Sequence, residues 1–156
     1  MSLQACGFRL RGAVVLPFAS LWSGFAEASP LGQELARSLS GNGVQVLKAA
    51  AERSRAQVVL EVLNEQREKS VLSLNASGQV REFQLRIRLK FRLRTTAGRD
   101  LIEDLELLAT RDISFNETAV LAKEAEEQLL YRDMQADLVQ QLMRRFAAVK
   151  ISAVKI

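Results

Sequence analysis

An alternation of apolar and charged residues between positions 83 and 94 is the clearest pattern in this sequence. Apolar side chains occupy the odd positions and polar, mostly basic, side chains the even positions. A period of two is typical of a β-strand with one buried and one exposed face. Residues 57–74 and 101–113 also favour strands, and the segments between them, 75–78 and 95–100, contain turn-forming residues. The pattern therefore predicts three long consecutive strands.

Two segments have a helical period instead. Ser29 is a favourable N-cap and Pro30 suits the first helical position, and a glycine-asparagine-glycine sequence at 41–43 ends this first helix. Asn116 is predicted to cap a second, longer helix that ends near Val149. The apolar stripe of the first helix is Leu31, Leu35 and Leu39, and that of the second is Leu121, Ala125, Leu130, Met134, Leu138, Leu142 and Phe146.

Shorter apolar stretches at 13–18 and 44–47 are predicted as two further strands, and residues 20–28 as a loop with Trp22 and Phe25 as possible anchors. The resulting order is β-α-β-β-β-β-α. This order favours an α+β fold, with a small mostly antiparallel or mixed sheet of about four strands and two helices packed on one face.

The amino-acid composition limits the catalytic and metal sites that the chain can form. The chain has 156 residues, which fits one domain, and it contains no histidine and one cysteine, Cys6. The usual general base is therefore missing, and neither an intrachain disulfide nor a thiolate metal cluster can form. We predict no catalytic residue, no metal site and no cofactor.

The positive charge is concentrated in one segment. The net charge is +4, but residues 81–99 carry seven basic residues and one acidic residue, so the rest of the chain is slightly acidic. One interpretation is a binding face for nucleic acid, anionic lipid or a phosphorylated glycolipid. The other is a solvated sheet face, partly neutralised by Glu103, Asp104 and Glu106 on the next strand. Phe83 and Phe91 have the core-facing parity, which disfavours base stacking and hence nucleic acid.

Several segments resemble, in order, the LptE (RlpB) family of LPS-assembly lipoproteins. Residues 6–12, with the sequence CGFRLRG, resemble the start of the mature family proteins, where an acylated cysteine precedes such a motif, and residues 3–6 resemble the end of a lipobox. The first predicted helix with its exit turn at 42–44 is similar to the family's first helix. The C-terminal half is matched by residues 98–100, 121–123 and the helix between Tyr131 and Arg145.

The resemblance implies a protein anchored through Cys6 to the periplasmic face of the outer membrane of Gram-negative bacteria. It implies that the protein plugs the LptD β-barrel, aids its assembly and binds lipopolysaccharide during export, without catalysis and without nucleic acid. Lys123 occupies the position that the family links to lipopolysaccharide binding. A second basic residue lies in the family's hairpin turn, but residues 75–78 contain no cation. The remaining lipopolysaccharide-binding candidates are Arg81, Arg86, Arg88 and Lys90.

The predicted organisation is a lipobox remnant at 1–5, a single LptE-like domain at 6–149 and a C-terminal tail at 150–156. Two alternatives stay open at this point. One is a periplasmic adaptor lipoprotein with a structural role and no ligand. The other is a basic nucleic-acid-binding module, which a signal peptide upstream of Cys6 would exclude.

Overall fold

The computed structural model of the chain describes residues 14–151. Its elements follow the predicted order, with short 3-10 segments at Ala50–Arg55 and Glu117–Ala119. The strands are β1 (Ser20–Ser23), β2 (Gln45–Leu47), β3 (Val58–Leu74), β4 (Val80–Thr95) and β5 (Asp100–Ser114), and the helices are α1 (Pro30–Gly41) and α2 (Val120–Ala147). Cys6 and the lipobox-like residues lie outside the described range, so their role stays a prediction.

The five strands form one mixed sheet in the order β2-β1-β3-β4-β5. β1 pairs in parallel with both β2 and β3, whereas β3, β4 and β5 form an antiparallel meander. The predicted α+β class and the two helices are confirmed, and the sheet has one strand more than the approximate number we expected. The predicted turns are confirmed as well, with Gly78 and Gly98 at positive φ.

The first strand lies later in the chain than predicted. We expected a strand at 13–18 and a loop at 20–28, but β1 runs from Ser20 to Ser23. Side chains satisfy the backbone before β1, because Asn42 accepts from the Val14 amide at 2.8 Å and Gln57 from the Ala19 amide at 2.6 Å. Pro17 has no amide to donate to a ladder. The strand therefore begins after these residues.

The alternation in β4 separates a core face from an exposed face, as predicted. Leu85, Leu89, Phe91 and Leu93 are fully buried, and the Phe91 ring meets the Phe146 ring of α2 edge to face at 6.4 Å. The α1 stripe joins the same cluster. Each fully buried leucine or phenylalanine contributes about 1.5–3 kcal/mol. Because buried residues of α1 and α2 belong to the same cluster as the buried side of β4, both helices cover the same face of the sheet. We call the opposite side the open face.

The N-terminal part of α2 corrects our predicted core stripe. Leu121 is 82% exposed and Ala125 is also exposed, whereas continuous burial begins at Tyr131 and Met134. The first turns of α2 are attached to the sheet by polar contacts, among them Lys69 with Glu127 at 2.6 Å. The helical period thus continued in the sequence beyond the point where the core ends.

The 3-10 segment Ala50–Arg55 covers one end of the open face. The Trp22 indole donates to the Ala49 carbonyl at 3.0 Å, and the Arg53 guanidinium lies 5.0 Å from the centre of the Trp22 ring. Val59 and Ala56 are buried beneath this segment. Trp22 therefore acts as the anchor that the sequence suggested, but from within a strand.

Candidate functional site

Five cations of β4 line up along the open face. Four of them have acidic partners: Arg86 lies 3.7 Å from Glu68, Arg88 3.6 Å from Glu106, Arg94 2.6 Å from Asp100, and Arg92 pairs with Glu61 and, at 3.8 Å, with Asp104. We call this set the charge ladder. It neutralises most of the basic row that the sequence displayed.

The partners come from both neighbouring strands. Asp104 and Glu106 of β5 pair as predicted, but Glu103 takes part in no ion pair within residues 14–151. Sequence reasoning missed Glu61 and Glu68 of β3. A bulge between Val62 and Asn64 shifts the β3–β4 register, so the residues opposite each arginine could not be read from the alternation alone. The geometry favours the interpretation of a solvated, self-paired face.

Glu61 is the most tightly held member of the charge ladder. Its carboxylate accepts hydrogen bonds from Arg92 of β4 and from Arg53 of the 3-10 segment. The bond from Arg92 is the main cause that lowers the pKa of Glu61, burial opposes this shift, and Arg53 adds to it. Glu61 therefore ties the 3-10 segment to the sheet.

Lys90 and Arg81 differ from the paired arginines. Both side chains are exposed, and neither takes part in an ion pair within the described part of the chain. Lys90 lies mid-strand on the open face, opposite Asn64 and Glu106. Arg81 lies at the start of β4, beside the turn that joins β3 to β4.

Lys123 lies on the helical side of the molecule. Its ammonium group donates to the Ser114 hydroxyl at 2.8 Å and to the Glu126 carboxylate at 2.9 Å. Ser114 lies opposite Glu82 near the start of β4, so the structure does not bring Lys123 together with Arg86, Arg88 and Lys90, which lie further along that strand.

A groove of about 760 Å³ at the end of the β3–β4 hairpin does connect two of the predicted residues. Arg81 lines this groove directly, and Lys123 contacts Ser114, which also lines it. We call it the distal groove. Its lining combines apolar and charged residues, among them Leu74, Val80, Arg81, Glu82, Phe115 and Glu117. Its charged members are the cation Arg81 and the carboxylates of Glu82 and Glu117, so the groove offers an anion one cationic contact beside apolar surface.

The described residues were also inspected for a metal-binding cluster and for a helix that could span a membrane. Within 14–151, no three His, Cys, Asp or Glu side chains are grouped so that they could hold a metal ion. In the same range, no helix combines the length and apolar character needed to cross a bilayer.

These features define a class of protein: an α+β domain with a self-paired open face and an amphiphilic groove at one end of its sheet. The sequence model of the LptE family, described as lipopolysaccharide-assembly, matches residues 23–146. The chain therefore belongs to the LptE family, as the resemblance in its sequence indicated.

Individual relatives agree with this assignment. The chain is 28% identical over 154 residues to the LPS-assembly lipoprotein LptE of Yersinia pestis strain Pestoides F, which covers 96% of this chain and 72% of that protein. It is similar to uncharacterized lipoprotein B from Nitrosomonas europaea, with a TM-score of 0.75, 36% identity and 91% of each chain covered.

Two further solved structures share the fold. The minor lipoprotein from Acinetobacter baumannii has a TM-score of 0.66 and 26% identity, over 86% of this chain and 94% of that one. The rare lipoprotein B from Shewanella oneidensis has a TM-score of 0.67 and 24% identity, over 83% and 94% respectively.

Proposed function

We propose that this chain is a non-catalytic, lipid-anchored subunit at the periplasmic face of the outer membrane, which sits inside the LptD barrel, aids its assembly and binds lipopolysaccharide during export. Family membership and the name of the Yersinia relative support the role in lipopolysaccharide assembly. The observation that supports lipopolysaccharide binding is the distal groove, which Arg81 lines together with Leu74, Val80 and Phe115. Lys123 donates to Ser114, which also lines the groove.

Arg81 and the apolar residues of the groove complement lipopolysaccharide, whose lipid A carries phosphates next to acyl chains, whereas Glu82 and Glu117 of the same lining oppose phosphate binding. A guanidinium binds two phosphate oxygens at once, so Arg81 is the primary phosphate ligand in this proposal. To bind a phosphate, the Lys123 ammonium must give up its ion pair with the Glu126 carboxylate. An exposed ion pair of this kind is worth about 0–1 kcal/mol, and the Glu126 side chain is 49% exposed, so the exchange is inexpensive.

The cations of the open face have a secondary part in this proposal. Arg86 and Arg88 already have acidic partners, so a phosphate would have to displace Glu68 or Glu106. Lys90 is exposed and has no ion-pair partner in residues 14–151, which makes it the open-face candidate with the least competition. We expect its substitution to weaken binding less than that of Arg81.

Lipopolysaccharide binding by Arg81→Ala and Lys123→Ala variants tests the ligand part. Each lost charge-assisted contact costs about 1.5–3 kcal/mol, so each variant should bind purified lipopolysaccharide roughly tenfold or more weakly. The salt dependence of binding should also decrease. Arg99→Ala, an exposed arginine in the other hairpin turn, is the matched control. Unchanged affinity and salt dependence in both variants would contradict the assignment of the groove.

The charge ladder favours a second candidate function, a structural adaptor without ligand. A face whose charges pair internally needs no anion, and it suits contact with the polar interior of a barrel. Co-purification with LptD distinguishes the candidates when it is combined with the binding assay. An adaptor retains LptD while the groove variants leave lipopolysaccharide binding unchanged, whereas our proposal requires both LptD retention and groove-dependent binding.

A further inference from the structure

Several parts of the chain meet at the end of the sheet opposite the distal groove. Val58 at the start of β3 pairs with Leu21 of β1 and with Thr95 at the end of β4. The Phe18 ring, just before β1, meets the Phe146 ring near the end of α2 edge to face at 6.2 Å. The starts of β1 and β3, the β4–β5 turn and the C-terminal end of α2 therefore lie together, and we call this place the proximal end.

The charged residues of the proximal end are mostly basic. The stretches that meet there are 14–20, 41–45, 54–58, 95–100 and 144–151. Their basic residues are Arg55, Arg99, Arg144, Arg145 and Lys150, and their acidic residue is Asp100. Arg99 lies directly beside Asp100 in the chain. We call the other four basic residues, which are all exposed, the proximal cations.

Neighbouring acids do not neutralise the proximal cations. None of the four takes part in an ion pair within residues 14–151. Asp100 pairs with Arg94 at 2.6 Å. The acidic residues of the adjoining elements lie further from the proximal end, and they are Glu34, Glu52, Glu61, Glu103 and Asp137. The positive charge of the proximal end is therefore uncompensated in the described part of the chain.

A local role accounts for only part of this charge. Arg144 and Arg145 lie in the last turn of α2, where cations interact favourably with the helix dipole. The C-terminal end of a helix is equivalent to about −0.5 elementary charge. The charges of Arg144, Arg145 and Lys150 together exceed this value, so the proximal end has positive charge available for an anionic partner.

The chain also enters the described domain at the proximal end. The Val14 amide donates to the Asn42 side chain at 2.8 Å, directly after the last residue of α1. The next residue, Val15, is 85% exposed. The predicted lipid anchor, Cys6, is eight residues before Val14, and eight residues span at most about 26–29 Å. A lipid on Cys6 would therefore hold the proximal end close to the headgroups of the membrane.

We propose that the proximal end binds an anionic phospholipid surface, with the proximal cations against the headgroup phosphates and Val15 at the lipid interface. The inference rests on the proposed function, because the anchored membrane comes from it. Each cation held near an anionic lipid surface strengthens binding by about fivefold. The distal groove then lies at the end of the sheet that is turned away from the headgroups.

The side chains around the proximal cations favour a lipid surface over a nucleic acid. Val14 and Val15 are exposed apolar residues at this end. The aromatic residues of the five stretches, Phe18 and Phe146, are buried, so they offer no stacking surface to a base. Cations beside exposed aliphatic residues suit a surface of phosphates over acyl chains.

Sedimentation with vesicles tests the inference on the purified full chain without an acyl group. The chain should bind vesicles of phosphatidylglycerol and phosphatidylethanolamine but not vesicles of phosphatidylcholine alone, and salt should weaken the binding. Arg144→Gln together with Arg145→Gln should weaken it about tenfold or more. If the wild-type chain does not bind the anionic vesicles, or if it binds both kinds of vesicle equally, the inference is wrong.

Arg67→Gln together with Arg132→Gln is the matched control, because it removes the same charge from two exposed arginines elsewhere. Arg132 lies about 22 Å before the end of α2, which exceeds the Debye length of about 8–10 Å. The control should therefore bind the anionic vesicles within about threefold of wild type. An equal loss in both double variants would mean that net charge alone determines binding, which overturns the inference.

An environment-sensitive fluorophore at either end of α2 tests the orientation. Ala148→Cys and Ala125→Cys, each combined with Cys6→Ser, give exposed attachment sites at opposite ends of the helix. Anionic vesicles should shift the emission to the blue at position 148 and leave it unchanged at position 125. A shift at position 125 as large as that at 148 would contradict the proposed orientation.

The proposed function fails by different measurements. Retention of LptD and groove-dependent lipopolysaccharide binding test that function without phospholipid vesicles. If both are observed and the vesicle experiments fail, only the inference is wrong. If LptD is not retained, the proposed function is wrong, whatever the vesicle experiments show.

Discussion

Glu61 connects three elements, so its substitution is a sensitive test of the charge ladder. The residue lies on β3, and its carboxylate accepts from Arg92 on β4 and from Arg53 in the 3-10 segment. In Glu61→Gln the negative charge disappears, and the ion-pair partner left to Arg92 is Asp104, at the longer distance of 3.8 Å. We expect the 3-10 segment to be held less firmly over Trp22 and the folded state to lose stability.

The size of the stability loss in Glu61→Gln depends on how far solvent reaches the three paired side chains. The Glu61 side chain is 18% exposed, Arg92 29% and Arg53 49%, so solvent weakens both bonds, the one to Arg53 more. A charge-assisted hydrogen bond is worth about 1.5–3 kcal/mol when well buried. With this exposure we expect a total loss of about 1–2 kcal/mol, or a thermal midpoint lower by about 2–8 °C for a chain of this size.

The effect must also depend on pH with a definite sign. Arg92 lowers the pKa of Glu61 in the folded state, so its stabilisation is fully present above the pKa of the unfolded chain. It is lost as the pH falls through the lowered folded value. The stability difference between wild type and Glu61→Gln should therefore be full at neutral pH and vanish in acid.

Urea unfolding followed by circular dichroism measures this difference at neutral pH and in a series of more acidic buffers. Glu103→Gln is the control, because Glu103 is an exposed acid on β5 without an ion-pair partner in the described range. If both variants lose equal stability, or if the Glu61→Gln difference stays constant in acid, the reasoning about the ladder is refuted.

Two further predictions concern packing. Gly32→Ala should destabilise by about 1–3 kcal/mol, because the new Cβ would lie 2.5 Å from Phe25 Cβ; Gly41→Ala, in open space, should not destabilise. Leu138→Ala should cost about 2–5 kcal/mol because Leu138 is fully buried, whereas Leu121→Ala should stay within about 0.5 kcal/mol. Thermal and urea unfolding check both pairs, and equal losses within either pair would contradict the packing described.

Local pattern predicted the elements where one face of an element is uniformly buried. The alternation in β4 is of this kind, and the structure confirms it. A capping signal predicted the start of α1 at Ser29–Pro30, which is also confirmed. Prediction failed for β1, where four residues depend on parallel pairing with distant strands. It also failed at the start of α2, because helical periodicity extends beyond the core and Leu121 meets no partner in the described chain.

The candidate site was predictable in part. Arg81 and Lys123 were identified from charge and family resemblance, but their approach to one groove depends on how α2 returns across the end of the sheet. The partners Glu61 and Glu68 depend on the β3–β4 register, which the bulge after Val62 sets.

The sequence by itself determined the α+β class, the element order and the absence of histidine chemistry, because these depend on local period and composition. Its resemblance to the LptE family indicated the family. The tertiary structure decided which charges are neutralised and which residues meet, because ion pairs form between strands whose register local pattern does not contain. The basic segment is the clearest case: the sequence suggested Glu103, Asp104 and Glu106 as its partners, and in the sheet most of its charge is paired with Glu61, Glu68, Asp100, Asp104 and Glu106.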